Sequence, residues 1–61
     1  MPIVQVDMLE GRTEEQKRKI AEGICKALME EGGAKKEAIT ITFRELTKEN
    51  IAKGDKLLKD L

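Results

Sequence analysis

Few residues in this chain are equipped for chemistry, and the scarcity narrows the choices. His, Ser, Tyr and Trp are absent, and Cys25 is the only cysteine. A Ser-His-Asp or Cys-His relay cannot be assembled from this inventory. One thiol without imidazole cannot supply the four ligands of an ordinary zinc site, so no metal is expected. Proton chemistry is left to carboxylates, lysines, arginines and the chain's own amino end. Cys25 falls on an apolar helical stripe, where a thiol acts as a packing residue rather than a nucleophile. Most carboxylates are spaced to pair along a helix face and read as solvated charge. Lys35-Lys36 after Gly32-Gly33 lacks the spacing of a phosphate cradle and reads as a loop.

Two residues stand apart. Pro2 directly follows Met1, and an initiator Met before a small residue is ordinarily removed. The chain would then begin with a secondary amine. A neutral amine is a general base when its pKa lies near working pH. Apolar burial lowers that pKa by penalising the charged form, and a nearby cation lowers it further. Ile3-Val4 would supply the apolar cover. The plain alternative is a proline that merely opens a strand where no donor is needed. With Met1 retained, the Pro2 nitrogen is an amide without useful basicity. The second residue is Arg12, which follows Gly11 in a turn just before a helix start. A guanidinium there can hold a carboxylate through two parallel hydrogen bonds. Taken alone, it would be a surface arginine.

The elements that must position these residues follow from periodicity. Ile3 to Leu9 alternates as a strand, with Val4, Val6 and Met8 on one face and Ile3, Gln5, Asp7 and Leu9 on the other. Apolar residues at both ends of the second face predict cover on both sides. Glu10-Gly11-Arg12 turns the chain. Thr13 to Glu31 reads as one helix, opened by a Thr13/Gln16 capping box with Glu14 and Glu15 in the favourable first turn. Its stripe is Ile20, Ala21, Ile24, Cys25, Ala27 and Leu28. Glu14/Arg18, Glu15/Lys19 and Glu22/Lys26 are spaced as ion pairs, and Gly32-Gly33 supplies the left-handed stop. Ala38 to Leu46 alternates again: Ile39, Ile41 and Phe43 against Thr40, Thr42 and Arg44. Its polar face should be the more exposed of the two strands', or should line something polar. Lys48-Glu49-Asn50 and Gly54-Asp55 read as turns, with Leu57, Leu58 and Leu61 in a short helix or a docked tail.

Strand, helix, strand predicts an α/β chain: a single βαβ unit spanning residues 1–61, with two parallel strands and a right-handed crossover. A two-stranded sheet is marginal alone, and its helix covers one face only. A chain of 61 residues buries only about 60% of its unfolded surface, less than larger domains do, and has no disulfide or metal to staple it. Oligomerisation is the remaining route. The 12 basic and 12 acidic residues and the single aromatic argue against nucleic acid, which calls for a basic footprint and stacking rings. No apolar run is long enough for a membrane span. Charge from Asp7 onward argues against a signal peptide, and the lone thiol fits a reducing compartment. A cytoplasmic location is therefore expected.

The motifs together carry a resemblance. Met-Pro-Ile-Val-Gln-Val at the start, then Met8-Leu9-Glu10-Gly11-Arg12-Thr13-Glu14-Glu15-Gln16-Lys17, resembles the 4-oxalocrotonate tautomerase family. It continues through Ala38-Ile39-Thr40-Ile41-Thr42-Phe43 and Glu49-Asn50-Ile51-Ala52-Lys53-Gly54. The resemblance implies small βαβ subunits, usually hexamers built as trimers of dimers. It also implies an amino-terminal proline, here Pro2, that moves a proton between carbons through an enol or dienol of a 2-oxo acid. Arg12 and Leu9 would bind substrate, and no cofactor is implied. Many members carry a second arginine where this chain has Thr40, and often an aromatic wall where it has Ile51. Asp55 replaces a glycine of the family's late cluster, while Gly54 is kept. Arg44 shares the strand face of Thr40 but lies about 13 Å further along. It serves a different substrate pose or is simply exposed.

The expected activity is therefore a cofactor-independent isomerase acting on a small carboxylate, with weakened or altered turnover of diacids. Two other readings stand beside it. One is hydration or dehalogenation of an unsaturated acid, which needs a carboxylate near the site. The other is a non-catalytic oligomer that kept the fold. Geometry adds one constraint. About ten extended residues at about 3.3 Å each separate Pro2 from Arg12 by roughly 30 Å. A small acid touching both must therefore take Arg12 from a neighbouring subunit, and dissociation should abolish activity.

Overall fold

The computed structural model describes residues 1–61. Strand β1 spans Ile3–Leu9, helix α1 Glu14–Glu30 and strand β2 Thr40–Leu46. Strands β1 and β2 pair in parallel, from Ile3 opposite Thr40 to Leu9 opposite Leu46. A short antiparallel hairpin follows, β3 (Ala52–Lys53) and β4 (Lys56–Leu57). Gly54-Asp55 forms its turn, as the sequence predicts, with Gly54 at φ +63°. Single 3₁₀ turns at Lys36–Ala38, Lys48–Asn50 and Leu58–Asp60 join these pieces.

The start of α1 is held as its sequence dictates. The Thr13 hydroxyl accepts from the Gln16 N–H at 3.1 Å, and the Gln16 side-chain oxygen accepts from the Thr13 N–H at 2.8 Å. Together they satisfy two orphan donors of the first turn. At the other end the two glycines divide the work predicted for both. Only Gly33 takes the left-handed conformation, at φ +66°. Gly32 instead permits close approach, since a Cβ there would meet the Leu28 carbonyl oxygen at 2.9 Å. That oxygen accepts from the N–H groups of both Gly32 and Ala34.

Helix α1 lies over the face of the sheet that carries Val4, Val6 and Met8 with Ile41 and Phe43, all half-buried. Ile20, Ala21, Ile24, Cys25 and Leu28 face it, whereas Ala27, expected in that stripe, is exposed. The ion pairs also differ from expectation. Arg18 takes both Glu14 at 3.0 Å and Glu15 at 3.2 Å. A forked guanidinium reaches two carboxylates at once, which leaves Lys19 without Glu15. Glu22 and Lys26 remain apart on the rim of a groove. The pair that ties helix to sheet is Lys17–Glu45, which no helical spacing predicts.

Strand β2 begins at Thr40 rather than Ala38, because Ala38 closes the 3₁₀ turn and the ladder starts where β1 supplies a partner. The opposite sheet face is not covered. Ile3 is 67% exposed, and Gln5, Asp7, Thr40, Thr42 and Arg44 are exposed beside it. The expected cover on both sides of β1 is therefore missing within one chain, and β1 is as open as β2. No residue reaches full burial. The radius of gyration is 14.7 Å, against about 10–11 Å for a compact chain of this length. The hairpin explains part of the excess, since its neighbours are the adjoining turns rather than the βαβ body.

Candidate active site

The ladder between β1 and β2 sets where each candidate stands. It opens with the Thr40 N–H donating to the Pro2 carbonyl at 3.0 Å and closes with the Glu10 N–H donating to the Leu46 carbonyl at 2.9 Å. Pro2 and Thr40 are thus brought together at one end. Pro2 is half-buried there, and Met1 ahead of it is 88% exposed. With Met1 attached, the Pro2 nitrogen sits in a peptide bond.

Leu9 and Arg12 meet at the other end. Gly11, at φ +120°, turns the chain in a conformation that side-chain-bearing residues rarely adopt. The turn brings the Arg12 guanidinium back onto the Leu9 carbonyl oxygen at 3.2 Å. Arg12 makes no ion pair. Beside it lies a pocket of about 310 Å³ lined by Leu9, Glu10, Leu46 and Lys48. Leu9 and Leu46 are register partners and form its apolar floor. Glu10 and Lys48 are the charged walls, and neither has an ion-pair partner within 4.0 Å. The buried Thr47 hydroxyl, between Leu46 and Lys48 in sequence, has no hydrogen-bond partner.

Strand β1 runs unbroken between the two ends. Its six steps from Ile3 to Leu9 cover about 20 Å, so one subunit holds Pro2 and Arg12 well apart. Arg44 joins neither end. It stands opposite Asp7 in the register and pairs with that carboxylate at 3.6 Å, while Gln5 reaches the same oxygen at 3.5 Å. Ile51 follows the Lys48–Asn50 turn, where its carbonyl accepts from the Leu58 N–H at 2.9 Å. It lines no pocket with Leu9.

Sequence reading did not single out Glu10 and Lys48 as site residues. Glu10 was visible within the Leu-Glu-Gly-Arg run. Lys48 was not, because only the pairing of Leu9 with Leu46 brings it to this end. A larger groove of about 570 Å³ lies between α1 and the start of β2. Ala21, Cys25, Met29, Ile39 and Ile41 make it apolar, and neither Pro2 nor Arg12 touches it.

A βαβ unit with a proline opening its first strand and an arginine past that strand's end defines a recognisable class. The family model described as Tautomerase enzyme matches residues 2–61. A 2-hydroxymuconate tautomerase of Bacillus subtilis (strain 168) is 44% identical over 61 residues, covering 100% of this chain and 98% of its own. A probable tautomerase of Bacillus cereus is 48% identical over 60 residues, or 98% of both chains. The crystal structure of YwhB, a homologue of 4-oxalocrotonate tautomerase, matches with a TM-score of 0.92 at 43% identity and covers 98% of both chains. A 4-oxalocrotonate tautomerase isozyme of Methylibium petroleiphilum matches with a TM-score of 0.86 at 41% identity, covering 97% of this chain and 95% of its own. The chain belongs to the tautomerase family. It is accordingly an isomerase by class, with tautomerase activity.

Proposed function

We propose that the chain, once Met1 is removed, is a cofactor-independent tautomerase of enol or unsaturated 2-oxo acids, with Pro2 as proton carrier. The neutral Pro2 amine takes the proton of the enol hydroxyl. The electron pair flows through the conjugated system as the carbonyl forms, and protonated Pro2 returns the proton at a distant carbon. Arg12 of another subunit holds a carboxylate and stabilises charge developing on oxygen. Backbone amides near Leu9 assist. The name of the Bacillus subtilis relative, 2-hydroxymuconate tautomerase, suggests a dienol diacid as the first substrate to try.

The observation that carries this reading is the position of Pro2. It opens an apolar strand, pinned by its carbonyl to Thr40, in a chain that offers no imidazole. The assembly follows from the same geometry. The separation of Pro2 from Arg12, the absence of any buried residue, the elongated shape and the apolar groove all favour a homo-oligomer. A hexamer built as a trimer of dimers is the form proposed. The experiment is an intact mass followed by an assay of ketonisation of a simple enolpyruvate. Protein lacking Met1 should turn the substrate over, and Pro2→Ala should not, at unchanged oligomer size. Full turnover by Pro2→Ala would refute the reading.

A further inference from the structure

The pocket at the carboxyl ends of β1 and β2 holds a cation that the mechanism above does not use. Glu10 and Lys48 both line it over the Leu9–Leu46 floor. Arg12 reaches the Leu9 carbonyl from beside it. Neither Arg12 nor Lys48 makes an ion pair, so neither charge is taken up by a carboxylate of this chain.

The charges at this end settle what Lys48 contributes. Arg12 and Glu10 carry opposite charges, so the pair is close to neutral at a distance, while the Arg12 fork remains open to a carboxylate at contact. Lys48 tips the balance to positive. The apolar floor excludes water on one side, which strengthens the attraction for a bound carboxylate. At the opposite end Thr40 contributes no charge to the Pro2 side. The two cations differ in kind. Arg12 offers a planar fork held in place by the Leu9 carbonyl, and Lys48 offers a mobile point charge.

We propose that Lys48 is a second carboxylate-binding residue, acting with Arg12 on the far carboxylate of a dicarboxylate substrate and setting the preference for diacids over monoacids. The inference rests on the tautomerase reading above, with the reacting end of the substrate at Pro2. Lys48 touches a carboxylate whose charge is the same in substrate and product, so its contribution falls on binding rather than on the chemical step.

The test compares 2-hydroxymuconate with 2-hydroxypenta-2,4-dienoate, a monoacid dienol whose one carboxylate lies next to the enol. Lys48→Ala should raise KM for the diacid about tenfold with kcat within about twofold, and leave KM for the monoacid within about twofold. Lys48→Arg should keep the diacid KM within about threefold of wild type, since the charge is retained. An equal rise for both substrates, or no rise for the diacid, overturns the proposal. Calorimetric titration with muconate, a diacid without the enol, tests it independently of turnover. Lys48→Ala must weaken muconate binding about tenfold, and unchanged affinity overturns the proposal. Pro2→Ala that retains full turnover would instead refute the proline mechanism, and the muconate result would still decide the role of Lys48.

Discussion

The two ends of β1 are assigned different halves of the proposed chemistry, and they are built by different means. At the amino end, Pro2 is fixed by one backbone bond to Thr40, whose side chain is uncharged. At the carboxyl end, a left-handed glycine turn, a register pair of leucines and three ionic side chains converge. A base works best where its charged form is poorly solvated, and a carboxylate binds best where cations gather. A single strand separates these opposed environments more effectively than a single pocket would. In the proposed mechanism neither end suffices by itself, and the other half comes from another copy.

Substitutions at the two ends should therefore fail in different ways. Pro2→Ala has the largest expected effect, a fall in kcat of roughly 100- to 10,000-fold, because a flexible primary amine replaces the fixed proline nitrogen as proton carrier. Steady-state kinetics after an intact-mass check on Met1 would show it. Arg12→Ala comes next. It should raise KM for a diacid by roughly 10- to 100-fold, the value of a hydrogen bond to a charged group. A matching fall in kcat would mean that Arg12 also stabilises the transition state.

Thr40→Arg sharpens the contrast from the other direction. It places a cation beside Pro2 and should raise kcat/KM for a 2-oxo acid roughly tenfold. If kcat/KM falls instead, the uncharged amino end is a retuned site rather than a depleted one. Arg44→Ala should matter least. Its guanidinium is already paired with Asp7, and both side chains are at least half exposed. Turnover should stay within about twofold, and thermal denaturation should register at most about 1 kcal/mol.

The legible parts of the molecule are those set by local pattern. The limits of β1, the capping box of α1 and the Gly54-Asp55 turn each follow from neighbouring residues. The start of β2 misleads because Ile39 continues the alternation, although β1 has no residue left to pair with it. The hairpin strands are two residues each, too short for any period to register. Pro2 and Arg12 are conspicuous by position and by the family resemblance around them. Lys48 and the Lys17–Glu45 tie are not, because each depends on residues brought together across the chain by the strand register. The open face of β1 is the one the sequence leaves for another chain to cover. Apolar residues at both ends of a strand face indicate that something covers it, without saying whether the cover belongs to the same chain.

The central claim is that Pro2 and Arg12 of different subunits act on one substrate molecule. The most direct measurement mixes Pro2→Ala and Arg12→Ala chains in equal amounts, dissociates and reassembles them, and assays the product at substrate well below KM. Each variant alone is nearly inactive. If the site is shared, a randomly mixed assembly pairs an intact Pro2 with an intact Arg12 in about a quarter of its sites. Activity should then return to about a quarter of wild type. A mixture no more active than its components would place both residues in the same subunit's site and contradict the account.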